Sequence, residues 1–268
     1  MTLLNLKKLN SLKAPENTID RINSMLERTK DTSWRPKSKP GHKPSVLGSK
    51  CFRKIYYSYW RVKEDYPPDA RAYRIFELGN YVETMVKAWL QEIGEYIPYR
   101  TKSTGEISKA FDAQFPIKSS KWRIKRGYID NVAFDGDRIW IYEIKSSNSK
   151  KWTALKEPAE DHLIQASIYL QTFNDLLLSG EFDHIPEFKE KKTKAAGVKW
   201  LYFNKDTSEI KMFQITEEKL EGALKAIDSK IEAANLYIDN KKLPPKTPDF
   251  CKWCNFRKKC KNEFNEVD

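Results

Sequence analysis

Residues 127–145, GYIDNVAFDGDRIWIYEIK, set two carboxylates and an ammonium into a stretch otherwise built for burial. The alternation reads as two strands joined at Asp135-Gly136, a dipeptide suited to a tight hairpin. Tyr128, Asp130, Val132 and Phe134 share one face of the first strand. Ile139, Ile141, Glu143 and Lys145 share one face of the second, and Trp140, Tyr142 and Ile144 the other. With a loop of Asp135-Gly136 alone, Asp130 stands opposite Ile141 and diagonal to Glu143. A four-residue loop puts the two carboxylates directly opposite, and a three-residue loop without a bulge separates their faces. Buried charges of this kind are costly unless something pairs them. A divalent metal held by Asp130 and Glu143, with Lys145 beside it, would do so. A hairpin carrying Glu143 and Lys145 as a surface ion pair fits the same stretch.

Two helices are placed to complete such a site. Residues 69–90 read as a long helix with the apolar stripe Ile75, Leu78, Val82, Met85 or Val86, and Trp89. Glu83 lies one turn after Gly79 on the same face. A glycine in mid-helix costs about 1 kcal/mol relative to alanine, which points to a packing or access reason. Here it would let the helix approach the sheet and leave room for a metal beside Glu83. A second helix opens at Pro158, carries Glu160 and Asp161 in its first turn, and ends at Gly180. Gln165 and Tyr169 are four apart on it, so both polar tips could reach one phosphate. Each also fits an ordinary amphipathic helix.

Three of the four cysteines form C-x2-C-x5-C at Cys251, Cys254 and Cys260, and the fourth is Cys51. In a cytosolic chain a disulfide framework is not expected. Four thiolates can hold a structural zinc ion or an iron–sulfur cluster, and the one-plus-three split favours the cluster. The prolines at 244, 245 and 248 make a stiff connector that delivers the last three cysteines.

A net charge of +12 favours a polyanionic partner, and nucleic acid is the commonest. Lys118, Lys121, Trp122, Arg123, Lys125 and Arg126 precede the hairpin, and Lys150, Lys151, Trp152 and Lys156 follow it. Basic runs interleaved with aromatics suit a phosphate backbone. No stretch reaches membrane-spanning length, and the N-terminal apolar run breaks at Lys7-Lys8 without a cleavage-site pattern. The expected place is the cytoplasm, or a host cytosol for a viral chain.

The remaining elements follow from pattern. Residues 1–50 read as a basic extension, with a helix over 17–28 and a Pro- and Lys-rich arm in which His42 sits at the surface. Short strands are expected near 96–99 and 109–115, and a charged solvated loop over 180–197. A second hairpin is expected over 198–204 and 209–215, then a helix capped by Thr216.

Taken in order, Cys51, Gly79-x-x-x-Glu83, Asp130, Glu143-x-Lys145, Gln165-x-x-x-Tyr169 and Cys251, Cys254, Cys260 resemble the RecB-type nucleases of the PD-(D/E)xK superfamily, in the branch that carries an iron–sulfur cluster. That branch includes the AddB nuclease domain, the CRISPR-associated adaptation nuclease and viral relatives. The resemblance implies an α/β fold, a restriction-endonuclease-like mixed β-sheet flanked by helices. A nuclease domain over 51–260 would follow the extension, its two ends joined by the cysteine cluster, with 261–268 as a tail. It implies a DNA nuclease, an exonuclease dependent on Mg²⁺ or Mn²⁺, acting in recombination, repair or replication. Glu83, Asp130, Glu143 and the Ile144 carbonyl would hold the metal. Lys145 would orient the attacking water or stabilise charge, and Gln165 and Tyr169 would position the strand. Cys51, Cys251, Cys254 and Cys260 would ligate a 4Fe-4S cluster. Single-stranded DNA or duplex ends are the implied substrate, with helicase or recombination proteins as partners and no membrane. Many relatives with a cluster have His where this chain has Glu83, so its metal site is all oxygen. The rival from another class is a non-catalytic nucleic-acid-binding or scaffold protein stabilised by a metal on its four cysteines.

Overall fold

The computed structural model describes residues 18–30, 39–108, 114–189, 193–247, 251 and 254–262. The expected arm before Thr18 and over 31–38, the start of the strand at 109–113 and the tail beyond Asn262 lie outside those residues.

Four strands form one mixed sheet: β3 (Asn131–Asp135), β4 (Arg138–Ser147), β5 (Gly197–Asn204) and β6 (Ile210–Thr216), in that order. β3 and β6 pair antiparallel with their neighbours, while β4 and β5 run parallel. A parallel pair needs a long crossover. The crossover here includes α6 (Glu160–Leu178). A separate two-stranded ribbon, β1 (Phe115–Ser119) with β2 (Ile124–Ile129), precedes the sheet. Only Asp130 separates β2 from β3.

The central position of β4 explains its composition. Residues 139–144 are buried on both faces, so the strand is nearly continuously apolar and Glu143 stands out. On one face Val132, Ile141, Val198 and Trp200 pack with Ala166, Leu170 and Phe173 of α6. On the other, Ala133, Trp140, Tyr142 and Ile144 pack with Val82, Val86 and Leu90 of α4 (Ala70–Glu92). Asp69 caps α4, its Oδ1 accepting from the Ala72 N–H at 2.8 Å. Rings of Phe115, Phe173, Phe182 and Phe188 meet within the first of these cores, and Phe173 and Phe182 stack with centroids 5.3 Å apart. Truncating one such fully buried Phe to Ala costs about 3–5 kcal/mol.

Several expectations change. The hairpin loop is Gly136-Asp137, one residue later than read, because Asp135 pairs with Arg138. Gly136 adopts a φ of +58°, a value that favours glycine. The α4 stripe is only half right: Val82 and Val86 are buried, but Ile75, Leu78 and Trp89 are exposed. The expected solvated loop over 180–197 contains the buried side chains Phe182, Ile185 and Phe188. His42, expected at the surface, is buried, and its Nε2 donates to Asn235 Oδ1 at 2.9 Å. Leu47 of the short helix α2 (Pro44–Leu47) packs with Ile55, Trp122, Ile168 and Ile231 in a second core. That core joins α3 (Phe52–Tyr59) and α8 (Glu217–Asp239) to the body.

Candidate active site at the strand junction

The β3–β4 register pairs Asn131 with Tyr142. Continued by one residue, it places Asp130 opposite Glu143, the arrangement expected of the longer loop. Asp130 lies where the chain leaves β2, and its Oδ2 accepts from the Ile144 N–H at 2.9 Å. Glu143 is 1% exposed in mid-sheet, and the Lys145 ammonium donates to its Oε1. Glu143 Oε2 is buried without a hydrogen-bond partner among the described residues.

Glu83 arrives from α4. Its Oε1 accepts from Lys87 Nζ at 2.5 Å and from Gln114 Nε2 at 2.6 Å. The same Gln114 amide reaches Asp130 Oδ1 at 3.4 Å, so one neutral side chain bridges the two carboxylates. Gly79 does not explain the helix's approach. A Cβ there would meet Ser146 Oγ at 3.6 Å, an ordinary contact, so alanine would fit.

From the other side α6 contributes Gln165 and Tyr169, the Gln165 amide donating to Tyr169 Oη at 2.9 Å. Tyr169 is buried, and burial first, then Glu143, pushes its pKa up. The structure therefore gathers Glu83, Asp130, Glu143, Lys145, Gln165 and Tyr169 about one centre.

The electrostatics are those of crowded anions. Burial first, then Glu143 and Glu83, raises the Asp130 carboxyl well above the usual range, against Lys145 and the Ile144 N–H. Burial opposes charge on Lys145, but Glu143 and Asp130 outweigh it and hold the ammonium above its ordinary pKa. Among the described residues no three His, Cys, Asp or Glu side chains stand close enough to enclose a metal ion. Lys87, Gln114 and Lys145 instead occupy the carboxylate oxygens. The donor set still fits a hard cation: oxygen ligands, mutual repulsion and an orphaned buried oxygen on Glu143.

Four neighbours were not singled out from sequence: Gln114, Lys87, His162 and Tyr202. Tyr202 lies beside Lys145 in the parallel β4–β5 register, and its Oη is 2.7 Å from His162 Nδ1. Only the strand alternation of Tyr202 could have signalled any of them. The expected basic clusters divide. Trp122 and Trp152 are core residues, not stacking platforms. Lys121 pairs with Asp228, and Arg123 forks onto Asp239 at 2.6 and 2.9 Å. These lie beyond the far end of β2, about 20 Å of strand from Asp130. Lys151 is nearer the centre, since its charge bears on His162.

The four cysteines are not disulfide-bonded. Cys51, Cys251, Cys254 and Cys260 line one cavity of about 430 Å³. Buried Arg53 donates from Nη1 to Cys260 Sγ at 3.3 Å and from Nε to the Pro244 carbonyl at 2.9 Å. Burial above all raises the Cys254 thiol, and Cys51 and Cys251 add to the rise. No helix among the described residues is long and apolar enough to cross a membrane.

No curated protein matches the chain. Among solved structures it is similar to SSO0001, at 17% identity with a TM-score of 0.46, over 90% of this chain and 95% of that one. It is also similar to the alkaline exonuclease LHK-Exo from Laribacter hongkongensis, at 10% identity with a TM-score of 0.46, over 86% of this chain and 96% of that one. The model of the PD-(D/E)XK nuclease superfamily matches residues 50–261, a span that contains the carboxylates, the lysine and all four cysteines. The chain belongs to the PD-(D/E)XK nuclease superfamily.

Proposed function

We propose that the chain is a divalent-metal-dependent deoxyribonuclease whose centre is Asp130, Glu143 and Lys145. The observation that carries this reading is the orphaned Glu143 Oε2, buried beside a crowded Asp130. Asp130, Glu143, Glu83 and the Ile144 carbonyl would hold Mg²⁺ or Mn²⁺. The ion supplies Lewis acidity and lowers the pKa of a bound water. Lys145, whose charged form Glu143 and Asp130 favour, would serve as a donor and a positive charge toward the phosphate. Tyr169 stays protonated, and with Gln165 it offers neutral donors to a phosphate oxygen.

The test is cleavage of linear duplex and single-stranded DNA with Mg²⁺ or Mn²⁺, comparing wild type with Glu143→Gln. Cleavage by wild type alone, and only with metal, is expected. Sparing of closed circular DNA would mark attack from ends. A wild type that binds DNA but never cuts it would leave the scaffold reading in its place.

We infer further that the four cysteines hold one metal centre, a 4Fe-4S cluster with zinc as the alternative. Support comes from four soft donors around one cavity, with the Arg53 guanidinium donating to one of the sulfurs. Such a centre would tie α3 to α9 (Arg257–Asn262), closing a loop of about 200 residues, where a cross-link constrains the unfolded chain strongly.

A further inference from the structure

A second cavity, of about 230 Å³, lies at the end of α3 and carries an unbalanced charge. Lys43, Lys54 and Arg61 line it, against the single carboxylate of Glu64. That carboxylate is already engaged, accepting from Asn255 Nδ2 at 2.8 Å. Among the described residues none of the three cations forms an ion pair.

Arg61 is the informative member. Its Nε is buried and has no hydrogen-bond partner among the described residues. Its φ is +56°, the left-handed conformation that ends many helices. The backbone there is set by Val62 N–H donating to the Tyr57 carbonyl at 3.0 Å and Arg61 N–H to that of Ser58 at 3.2 Å. Glycine takes that position without strain, and a residue with a Cβ does not. A helix C-terminus attracts a cation, but attraction alone does not explain a guanidinium turned inward with an unmet donor. Burial first and then the charge of Arg61 lower the pKa of Lys43, with the charge of Glu64 working the other way.

We propose that Lys43, Lys54 and Arg61 form a phosphate-binding site distinct from the carboxylate centre. The ligand chemistry is a phosphate group, either of a nucleic-acid backbone or free in solution. A tetrahedral oxyanion in the cavity would neutralise the two ammonium groups and the guanidinium that line it. The site does not depend on the nuclease reading, because binding can be read without turnover.

The experiment compares full-length Glu143→Gln protein with the same protein carrying Arg61→Gly, in the absence of divalent metal. Arg61→Gly relieves the left-handed strain, so a loss of binding cannot be ascribed to a broken fold. Inorganic phosphate is titrated while the melting temperature is followed, and a labelled oligonucleotide while anisotropy is followed. A saturable rise in melting temperature with phosphate, lost in Arg61→Gly, is expected if free phosphate is taken. A roughly tenfold loss of DNA affinity, with the salt slope reduced by about one, is expected if the backbone is the source. Lys43→Met should reproduce whichever effect is seen. Equal phosphate response and equal DNA affinity in the two proteins would overturn the proposal.

Discussion

The Ile144 N–H and Asp130 Oδ2 meet at 2.9 Å, across the point where the chain passes from the β1–β2 ribbon into the main sheet. Asp130 is thus held by the backbone of β4 on one side and by Gln114 on the other. Gln114→Ala removes the amide shared with Glu83 while leaving every carboxylate in place. Cleavage at limiting Mg²⁺ should fall by roughly 10- to 100-fold, as for other groups that orient metal ligands. Much of the loss should return at high Mg²⁺. A metal titration of initial rate checks this, and an unchanged half-saturation would sink it.

Lys145→Met should lower the rate by at least about 100-fold, the scale for removing a group that stabilises developing charge. The side chain is partly exposed beside the buried Glu143, so its removal leaves that carboxylate without its ammonium partner. Divalent metal should therefore raise the melting temperature of Lys145→Met more than that of wild type. Calorimetry with and without Mg²⁺ reads the difference. Retained turnover would remove Lys145 from the site.

His42 predicts a pH dependence of stability. Its ring lies against Tyr59 with centroids 4.8 Å apart, and burial above all lowers its pKa from 6.5. The bond to Asn235 works the other way, and the charge of Arg123 adds to the lowering. As pH falls, the unfolded chain takes up this proton first. The stabilisation is therefore complete above about 6.5, declines below it, and levels off once the folded ring protonates. His42→Gln should cost about 1–2 kcal/mol at pH 8 and show a shallower loss of melting temperature from about pH 7.5 to 5.5. His162, also lowered, shifts in the same sense and is left intact in the variant.

The cysteines make a compositional prediction. Protein purified without oxygen should be brown and hold about four irons per chain if one four-iron cluster is ligated. Cys254→Ser should lower the melting temperature and protease resistance, with activity lost through loosened structure. Stoichiometric zinc without iron would replace the cluster by a zinc site. Four titratable thiols in a stable, metal-free fold would reject a metal there altogether.

The main-sheet hairpins, the long helices and the spacing of the candidate site residues were legible in the chain itself. Period-two alternation around Asp130, Glu143 and Lys145 and period-3.6 spacing of Gln165 and Tyr169 are local properties, and the backbone reproduces both. The tight crowding of three cysteines was also visible as spacing. Which elements meet was settled by packing. The hairpin loop moved by one residue because Asp135 pairs with Arg138, and that shift turned a diagonal relation of Asp130 and Glu143 into a facing one. Gln114 carries no local signal, yet packing sets it between Glu83 and Asp130. The basic runs with their aromatics suit a phosphate backbone, but Trp122 and Trp152 are core residues, since apolar area is worth more buried than solvated. Ile75 and Leu78 have helical periodicity and stay exposed, outside the cluster that α4 forms with the sheet. Periodicity states that a face can be buried. Only the long-range arrangement supplies the surface that buries it.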